Sequence, residues 1–257
     1  MKKQIIIVGA VIGLLATVGT AFAFHSWGPY HWARQSNPFT LKLGDNVSSA
    51  WDSVLRTASD DWTVSIVLDT TVVAGLSSRR SCKPTNGRVE VCNAKYGNNG
   101  WLGIAQIWVT GGEHITQGAV KLNDTYFNTA KYNTVAWRNL VTCQEVGHTF
   151  GLDHQDENFS NTNLNTCMDY TSNPVSNQHP NAHDFEELES MYAHGDSFTT
   201  VLSSVASRIK NVVASERSSE DSELGHVVRR DRQGRPSVYE KDLGKGEELL
   251  THIFWAE

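Results

Sequence analysis

The sequence lacks an excess of basic residues. Its 257 residues include 22 Lys and Arg against 28 Asp and Glu, which gives a formal net charge of −6. Nucleic acids attract proteins chiefly through clustered Lys and Arg side chains, so a mildly acidic chain has no electrostatic footprint for them. We therefore expect no nucleic acid among the partners.

The sequence also lacks an apolar run of full membrane length. The apolar stretch between residues 5 and 18 is shorter than the roughly 20 residues that a spanning helix prefers. Lys2 and Lys3 precede it and Ala21-Phe22-Ala23 follows it, which is the pattern of a secretory signal peptide. We predict a signal peptide over residues 1–23, a secreted or extracytoplasmic protein, and no stable membrane span after cleavage. The alternative is an uncleaved membrane anchor.

Cysteine is scarce. The four cysteines are Cys82, Cys92, Cys143 and Cys167. An even number in an exported chain favours disulfides, and four cysteines allow three pairings. Four free buried thiols are the alternative.

One stretch, residues 143–156, concentrates chemically useful side chains. As a helix that ends at Gly151, it puts Gln144 and His148 four residues apart on one face, with Glu145 beside them. Glycine readily takes the left-handed conformation that ends a helix, so the chain can reverse at Gly151 and bring His154 back. Three potential metal ligands and one carboxylate would then converge.

The same stretch resembles the zinc signature of the metzincin metallopeptidases, H-E-x-x-H-x-x-G-x-x-H, with Gln144 in place of the first histidine. Thr166-Cys167-Met168-Asp169-Tyr170 resembles the methionine turn of that clan and follows in the expected order. The resemblance implies Zn²⁺ as cofactor, Glu145 as general base, and His148 and His154 as ligands, with Gln144 at the first ligand position. It implies Met168 as the floor of the site.

Tyr170 occupies the position from which a tyrosine of the astacin and serralysin families reaches the metal and stabilises the transition state. Tyr170 would then be catalytic, and the alternative is a tyrosine packed below the site. Among the cysteine pairings we favour Cys82–Cys92, which closes a local loop, and Cys143–Cys167, which ties the zinc motif to the methionine turn. Cys143 as a ligand is less favoured, because it lies about 100° around the helix from Gln144.

The resemblance, together with the signal-peptide pattern, implies a secreted zinc-dependent endopeptidase that hydrolyses peptide bonds by a metal-activated water, with Glu145 as general base. An amide oxygen is a poorer zinc donor than imidazole nitrogen, so Gln144 predicts weaker metal affinity. The alternative is a catalytically inactive metzincin-fold module that binds peptides or proteins, although such a module has no chemical need for Glu145. A hydrolase of a non-protein amide is a third possibility.

The fold prediction is α+β, a metzincin-like (zincin) domain whose twisted, mostly parallel sheet carries an active-site helix and a C-terminal helix after the methionine turn. The predicted division is a lead-in (24–39), the catalytic domain (40–195), an amphipathic helix with a polar linker (196–223), and a small β appendage or tail (224–257). We expect a monomer with a protein or peptide substrate. Residues 102–107 are the predicted edge strand that pairs with extended substrate.

Hydrophobic periodicity predicts the individual elements. A helix is expected over residues 41–58 with Asp45 as cap, one from Asn133 or Thr134, and one over 182–194 capped by Asn181. A further amphipathic helix is expected over 198–213, followed by a polar linker over 215–223. Strands are expected over 62–68, 89–92, 101–109 and 114–122, with a turn at Gly111-Gly112 between the last two. Three short strand-like runs follow between 227 and 255.

Several side chains outside the motif receive weaker predictions. His25, His31, His179 and His183 are additional ligand candidates, whereas His114 reads as a surface or packed histidine. The four arginines between residues 229 and 235 read as a solvated basic face, and the loop 155–166 as solvated and without a recognised calcium spacing.

Overall fold

The computed structural model describes residues 24–202 and 224–257. The predicted signal peptide, the predicted linker 215–223 and all but the first residues of the predicted helix 198–213 lie outside these ranges. The helices are α1 (Asp52–Trp62), α2 (Asp124–Phe127), α3 (Val135–His148) and α4 (Ala182–Met191), with a 3₁₀ turn at Pro174–Ser176. The strands are β1 (His31–Trp32), β2 (Phe39–Asn46), β3 (Leu68–Ala74), β4 (Val89–Ala94), β5 (Trp101–Thr110), β6 (His114–Asn123), β7 (His226–Arg230), β8 (Pro236–Gly244) and β9 (Glu247–Trp255).

All nine described strands form one sheet, in the order β3-β2-β4-β6-β5-β9-β8-β7, with β1 pairing β6. The pairs from β3 to β6, and β1 with β6, are parallel. From β6 through β5, β9 and β8 to β7 every pair is antiparallel. The chain is therefore α+β, and the predicted mostly parallel sheet describes only its first part.

Two predicted elements around α1 were wrong. The predicted helix 41–58 divides into β2 and α1, because Phe39, Leu41 and Leu43 alternate inward with period two and are buried. Asp45 caps no helix; its Oδ1 accepts from the amide of Val47 in the connection.

The predicted strand 62–68 was also wrong, since Trp62 is the last residue of α1. Its indole donates to the carbonyl of Cys143 at 3.1 Å and packs edge-on against Phe150. Val64 and Ile66 are exposed, so the apolar alternation there does not mark a buried strand. Tertiary contacts of Trp62 decide the local structure.

The remaining predicted elements of residues 89–191 are present. β5 and β6 form the hairpin expected at Gly111-Gly112, and Thr134 caps α3 by accepting from the amide of Trp137. Asn181 caps α4 in a capping box with Asp184, although α4 ends at Met191 rather than near residue 194.

The disulfides are Cys82–Cys92 and Cys143–Cys167, the favoured pairing, and the described residues contain no free cysteine. Cys143 is therefore not available as a metal ligand. The helices that the structure describes include none with the length and apolar character needed to cross a bilayer.

The largest difference from the predicted site concerns the C-terminal strands, of which β9 covers the edge of β5. Residues 102–107 were expected to form a free edge, but β9 pairs with β5 along its length, from Trp101 opposite Trp255 to Thr110 opposite Glu247. Leu250 and Phe254 of β9 are buried in the main core. The edge of β5 is thus covered by the chain's own C-terminus.

Candidate active site

The last turns of α3 present the motif residues inward. Gln144, Glu145 and His148 are all buried. After His148 the chain reverses at Gly151, whose φ of +97° favours glycine, and where a Cβ would collide with the carbonyl oxygen of Tyr30. This reversal returns the chain toward α3 and brings His154 beside His148.

His148 and His154 face each other through their Nε2 atoms, which lie 3.0 Å apart. Each Nδ1 already has an acceptor: the carbonyl of Leu152 for His148 at 2.9 Å, and Oε1 of Glu157 for His154 at 3.1 Å. In neutral imidazoles these bonds put the proton on Nδ1 and leave a lone pair on each Nε2. Two lone pairs that point at one another repel, and a cation between them removes the repulsion.

Burial lowers the pKa of His148 well below its usual range, and the nearby His154 lowers it further. A histidine that stays neutral keeps its lone pair for a metal. The acceptors on the two Nδ1 atoms are the kind of support that orients zinc-binding histidines.

A third histidine, His252 of β9, completes the cluster. The ligand atoms of His148, His154 and His252 all lie within 4.8 Å of one another, and the rings of His252 and His148 are 4.0 Å apart. Nδ1 of His252 lies 3.3 Å from Oε2 of Glu145, and its Nε2 lies 3.1 Å from the hydroxyl of Tyr170. His252 therefore contacts both residues that the motif marks as catalytic, and its coordination of a metal would release one of these contacts.

Glu145 is fully buried beside the histidines. Burial raises the pKa of its carboxyl well above the usual range, and the backbone amide of Ala105 in β5 opposes that rise. Oε1 of Glu145 and Oε1 of Gln144 are buried and have no hydrogen-bond partner within the described ranges. Two buried oxygen atoms beside the histidines thus have no hydrogen-bond donor among the described residues, which fits a bound cation.

The amide nitrogen of Gln144 is bonded away from this cluster. Its Nε2 donates to the carbonyl of Cys167 at 2.8 Å, so the side chain is tied to the methionine turn. Only Oε1 of Gln144 could act as a metal ligand. Gln144 as a ligand remains a prediction.

The methionine turn lies under the C-terminal half of α3. Met168 is fully buried, and a Cβ on Gly147 would lie 2.8 Å from its Sδ, so glycine permits this approach. The hydroxyl of Thr166 accepts a hydrogen bond from the backbone amide of Met168 and donates one to the carboxylate of Asp184. Together with the Cys143–Cys167 disulfide, these contacts fix the turn against the site.

Tyr170 extends from the turn toward the histidines. Its ring lies 4.3 Å from that of His154 and stacks on Phe159. Burial, followed by the charge of Glu157, raises the pKa of Tyr170 well above its usual range, so the hydroxyl keeps its proton. A neutral hydroxyl can donate a hydrogen bond at this point.

Arg229 of β7 corrects the prediction of a solvated basic face. Its guanidinium binds Asp153 at 2.6 Å and Glu157 at 3.2 Å. Both acids flank His154, so β7 is clamped to the loop that carries this histidine.

Sequence reasoning brought together Glu145, His148, His154, Met168 and Tyr170 but missed His252. The available signal was a histidine between apolar pairs, Leu249-Leu250 and Ile253-Phe254, in a strand that is buried from Leu249 to Phe254. Of the weaker candidates, His25 lies by Asp184 and His183, and His179 pairs with Asp61 near the surface. None of these three belongs to the cluster.

No protein-family model matches the chain, and no curated protein sequence matches it. Among solved structures it is similar to that of myroilysin, at 10% identity and a TM-score of 0.36 over 63% of this chain and 97% of that chain. It is also similar to the structure of high choriolytic enzyme 1, a hatching enzyme zinc-protease from the medaka fish Oryzias latipes. The identity is again 10% and the TM-score 0.36, over 63% of this chain and 94% of that chain. At a TM-score this low the likeness supports no conclusion about function.

Proposed function

We propose that the chain is a secreted or extracytoplasmic zinc-dependent endopeptidase that hydrolyses protein or peptide substrates with Glu145 as general base. The observation that carries the proposal is the pair of opposed Nε2 atoms of His148 and His154, 3.0 Å apart, with both Nδ1 atoms already bonded. A divalent metal ion fits between two such lone pairs. The buried carboxyl of Glu145 beside them supplies the group that hydrolysis needs.

His148 and His154 would hold the zinc, with His252 as third ligand once one of its contacts to Glu145 and Tyr170 is released. When bound, zinc polarises a carbonyl and brings the pKa of a coordinated water near 7. A cation at this point also favours the carboxylate form of Glu145 over the protonated form that burial favours.

Glu145 then accepts a proton from the attacking water and passes it to the leaving amine. The hydroxyl of Tyr170 keeps its proton, and it donates a hydrogen bond to the carbonyl oxygen as negative charge develops there. Both groups contact His252 in the described conformation, so each is available only when His252 moves away.

Substrate would pair with β5 in the place that β9 now occupies. Extended peptides bind sheet edges through backbone hydrogen bonds, and β5 presents such an edge once β9 leaves. Ala105 pairs with His252, so the substrate residue opposite Ala105 would lie at the metal. The described conformation is closed, and cleavage requires displacement of β9.

If β9 were displaced, His252 would leave the site. His148 and His154 would remain as ligands, and Oε1 of Gln144, which has no partner within the described ranges, is the replacement that the motif offers. An amide oxygen donates less charge than imidazole, so the open form binds zinc more weakly than the closed form.

The test is cleavage of labelled casein by the full chain carrying a specific protease site inserted between residues 215 and 223. We expect little cleavage before the insert is cut, and cleavage after it is cut and zinc is added. Glu145→Gln should lower the rate by about 10²–10⁴-fold, the usual contribution of a general base. Glu189→Gln, a change at an exposed position of α4, is the matched control and should cleave like the parent.

Zinc content distinguishes a metal site without peptidase activity from the absence of a metal site. Glu145→Gln should keep its zinc, because Glu145 is not a proposed ligand, whereas His148→Ala should lose about one ion per chain. Zinc loss in His148→Ala without any cleavage by the parent would indicate a metal site without peptidase activity. No zinc at this site would overturn the proposal.

A further inference from the structure

A second histidine cluster lies where β1, β6 and the segment after α4 meet. His31 of β1 is opposite His114 of β6 in the parallel register. His194 and Asp196 follow α4 and approach the same point. Three parts of the chain therefore supply four potential ligands, outside the site described above.

The ligand atoms of His31, His114 and Asp196 all lie within 4.8 Å of one another, and His194 approaches two of the three. Nε2 of His31 lies 3.2 Å from Nε2 of His194 and 3.6 Å from Oδ1 of Asp196. The same Oδ1 lies 3.3 Å from Nε2 of His114 and 3.8 Å from Nε2 of His194. Ligands about 2.0–2.1 Å from a tetrahedral zinc are separated from each other by about 3.3 Å.

Neighbouring groups orient these donors. Nδ1 of His31 lies 2.8 Å from the carbonyl of Pro29, which puts the proton on Nδ1 and leaves the lone pair on Nε2. Oδ2 of Asp196 accepts from the backbone amide and the guanidinium of Arg34, at 3.1 and 2.9 Å. Oδ1 is thereby directed to the histidines, in the way that hydrogen bonds to metal ligands orient them.

The cluster is shielded yet reachable. The side chains of His31, His114 and Asp196 are at most 13% exposed, whereas that of His194 is 52% exposed. A surface cavity of about 290 Å³, lined in part by His31, Glu113 and His194, opens beside it. An ion can therefore enter from this side.

We propose that His31, His114 and Asp196 bind a second zinc ion, with the exposed His194 as the fourth ligand. Four protein ligands leave no open position for water, so this ion is structural rather than catalytic. It ties β1 and the segment after α4 to β6. The proposal does not depend on the peptidase function.

The experiment counts zinc in a background without the first site. The full chain carrying His148→Ala and His154→Ala is loaded with zinc, dialysed against metal-free buffer and measured by elemental analysis. We expect about one ion per chain, and loss of that ion on adding His114→Asn and His194→Asn. His226→Asn, at an exposed histidine of β7, is the matched control and should keep the ion.

A second measurement needs no substitution in the cluster. In the His148→Ala, His154→Ala background, zinc should slow amide hydrogen exchange in residues 29–34 and 192–197 and leave β8 unchanged. Absence of both the retained ion and the added protection would overturn the proposal, because hydrogen bonds alone would then hold the cluster. Retention of the ion by the His114→Asn, His194→Asn chain would also contradict it.

Discussion

The chemistry of the site depends on which atoms of a few side chains are already occupied. His148 and His154 have both Nδ1 atoms bonded and both Nε2 atoms facing each other. Gln144 has its amide nitrogen bonded to Cys167 and its oxygen without a partner in the described residues. These bonds leave acceptors rather than donors facing the site.

Gln144 can be tested by rescue. His252→Ala should weaken zinc binding at the first site, because it removes the third imidazole. Adding Gln144→His should then restore the affinity by about tenfold or more, which is about 1.4 kcal/mol. Zinc titration of the two variants, with the second cluster removed by His114→Asn and His194→Asn, measures the change.

The control for this rescue is Gln233→His in the same His252→Ala chain, since Gln233 is an exposed turn residue. It should not restore affinity. If Gln144→His behaves like this control, residue 144 does not face the metal and the ligand prediction is wrong.

Gly151 permits a second test at single-residue scale. Gly151→Ala should lower the free energy of unfolding by about 2–4 kcal/mol, because alanine pays a steric cost at positive φ and also meets the carbonyl of Tyr30. Gly234→Ala has a similar φ of +80° but open space around the Cβ, and should cost only about 1–2 kcal/mol. Urea unfolding monitored by tryptophan fluorescence compares them, and equal losses would mean that the contact with Tyr30 is unimportant.

At the scale of elements, the C-terminal strands decide whether the site is open. β9 covers the edge of β5, and β7 is held to the His154 loop by Arg229. Leu250 and Phe254 add buried apolar surface to this docking. Backbone pairing, ion pairs and burial therefore all favour the closed conformation.

Arg229→Ala should loosen this closure. It leaves Asp153 and Glu157 without their cation and should lower the free energy of opening by about 1–2 kcal/mol, since a part-exposed ion pair contributes less than a buried one. Faster hydrogen exchange in β9 is the expected readout. Arg230→Ala is the matched control, because Arg230 is exposed and its guanidinium donates to the carbonyl of Gly234, away from the His154 loop. The same exchange rates in both variants would contradict the clamp.

Local patterns predicted the elements in which neighbouring residues determine the structure. The caps at Thr134 and Asn181 and the turn at Gly111-Gly112 are of this kind. Trp62 was misassigned because its place in α1 depends on contacts with Cys143 and Phe150, which lie more than 80 residues away. Alternation of apolar residues carries no information about such contacts.

At the scale of the whole molecule, the site joins α3 and the loop after it to β9, which is distant in sequence. A compact motif supplies Glu145, His148 and His154, so sequence alone could bring them together. His252 is 98 residues beyond His154, and its position follows from the pairing of β9 with β5. No spacing rule connects the two strands, which is why the third histidine and the covered edge of β5 could not be predicted.

The second cluster illustrates the same limit. His31 was only a weak ligand candidate and His114 was read as packed or on the surface, because each is isolated in sequence. The parallel pairing of β1 with β6 makes them neighbours, and the chain after α4 brings His194 and Asp196 to them. Clusters assembled from strand register become visible only in three dimensions.

The central claim, that His148 and His154 hold a metal ion, is tested most directly by anomalous X-ray diffraction at the zinc edge from crystals of the full chain grown with zinc. The account predicts an anomalous peak about 2.0–2.1 Å from Nε2 of both His148 and His154, with His252 as a third ligand. A zinc-loaded crystal without a peak between these two nitrogens would contradict it.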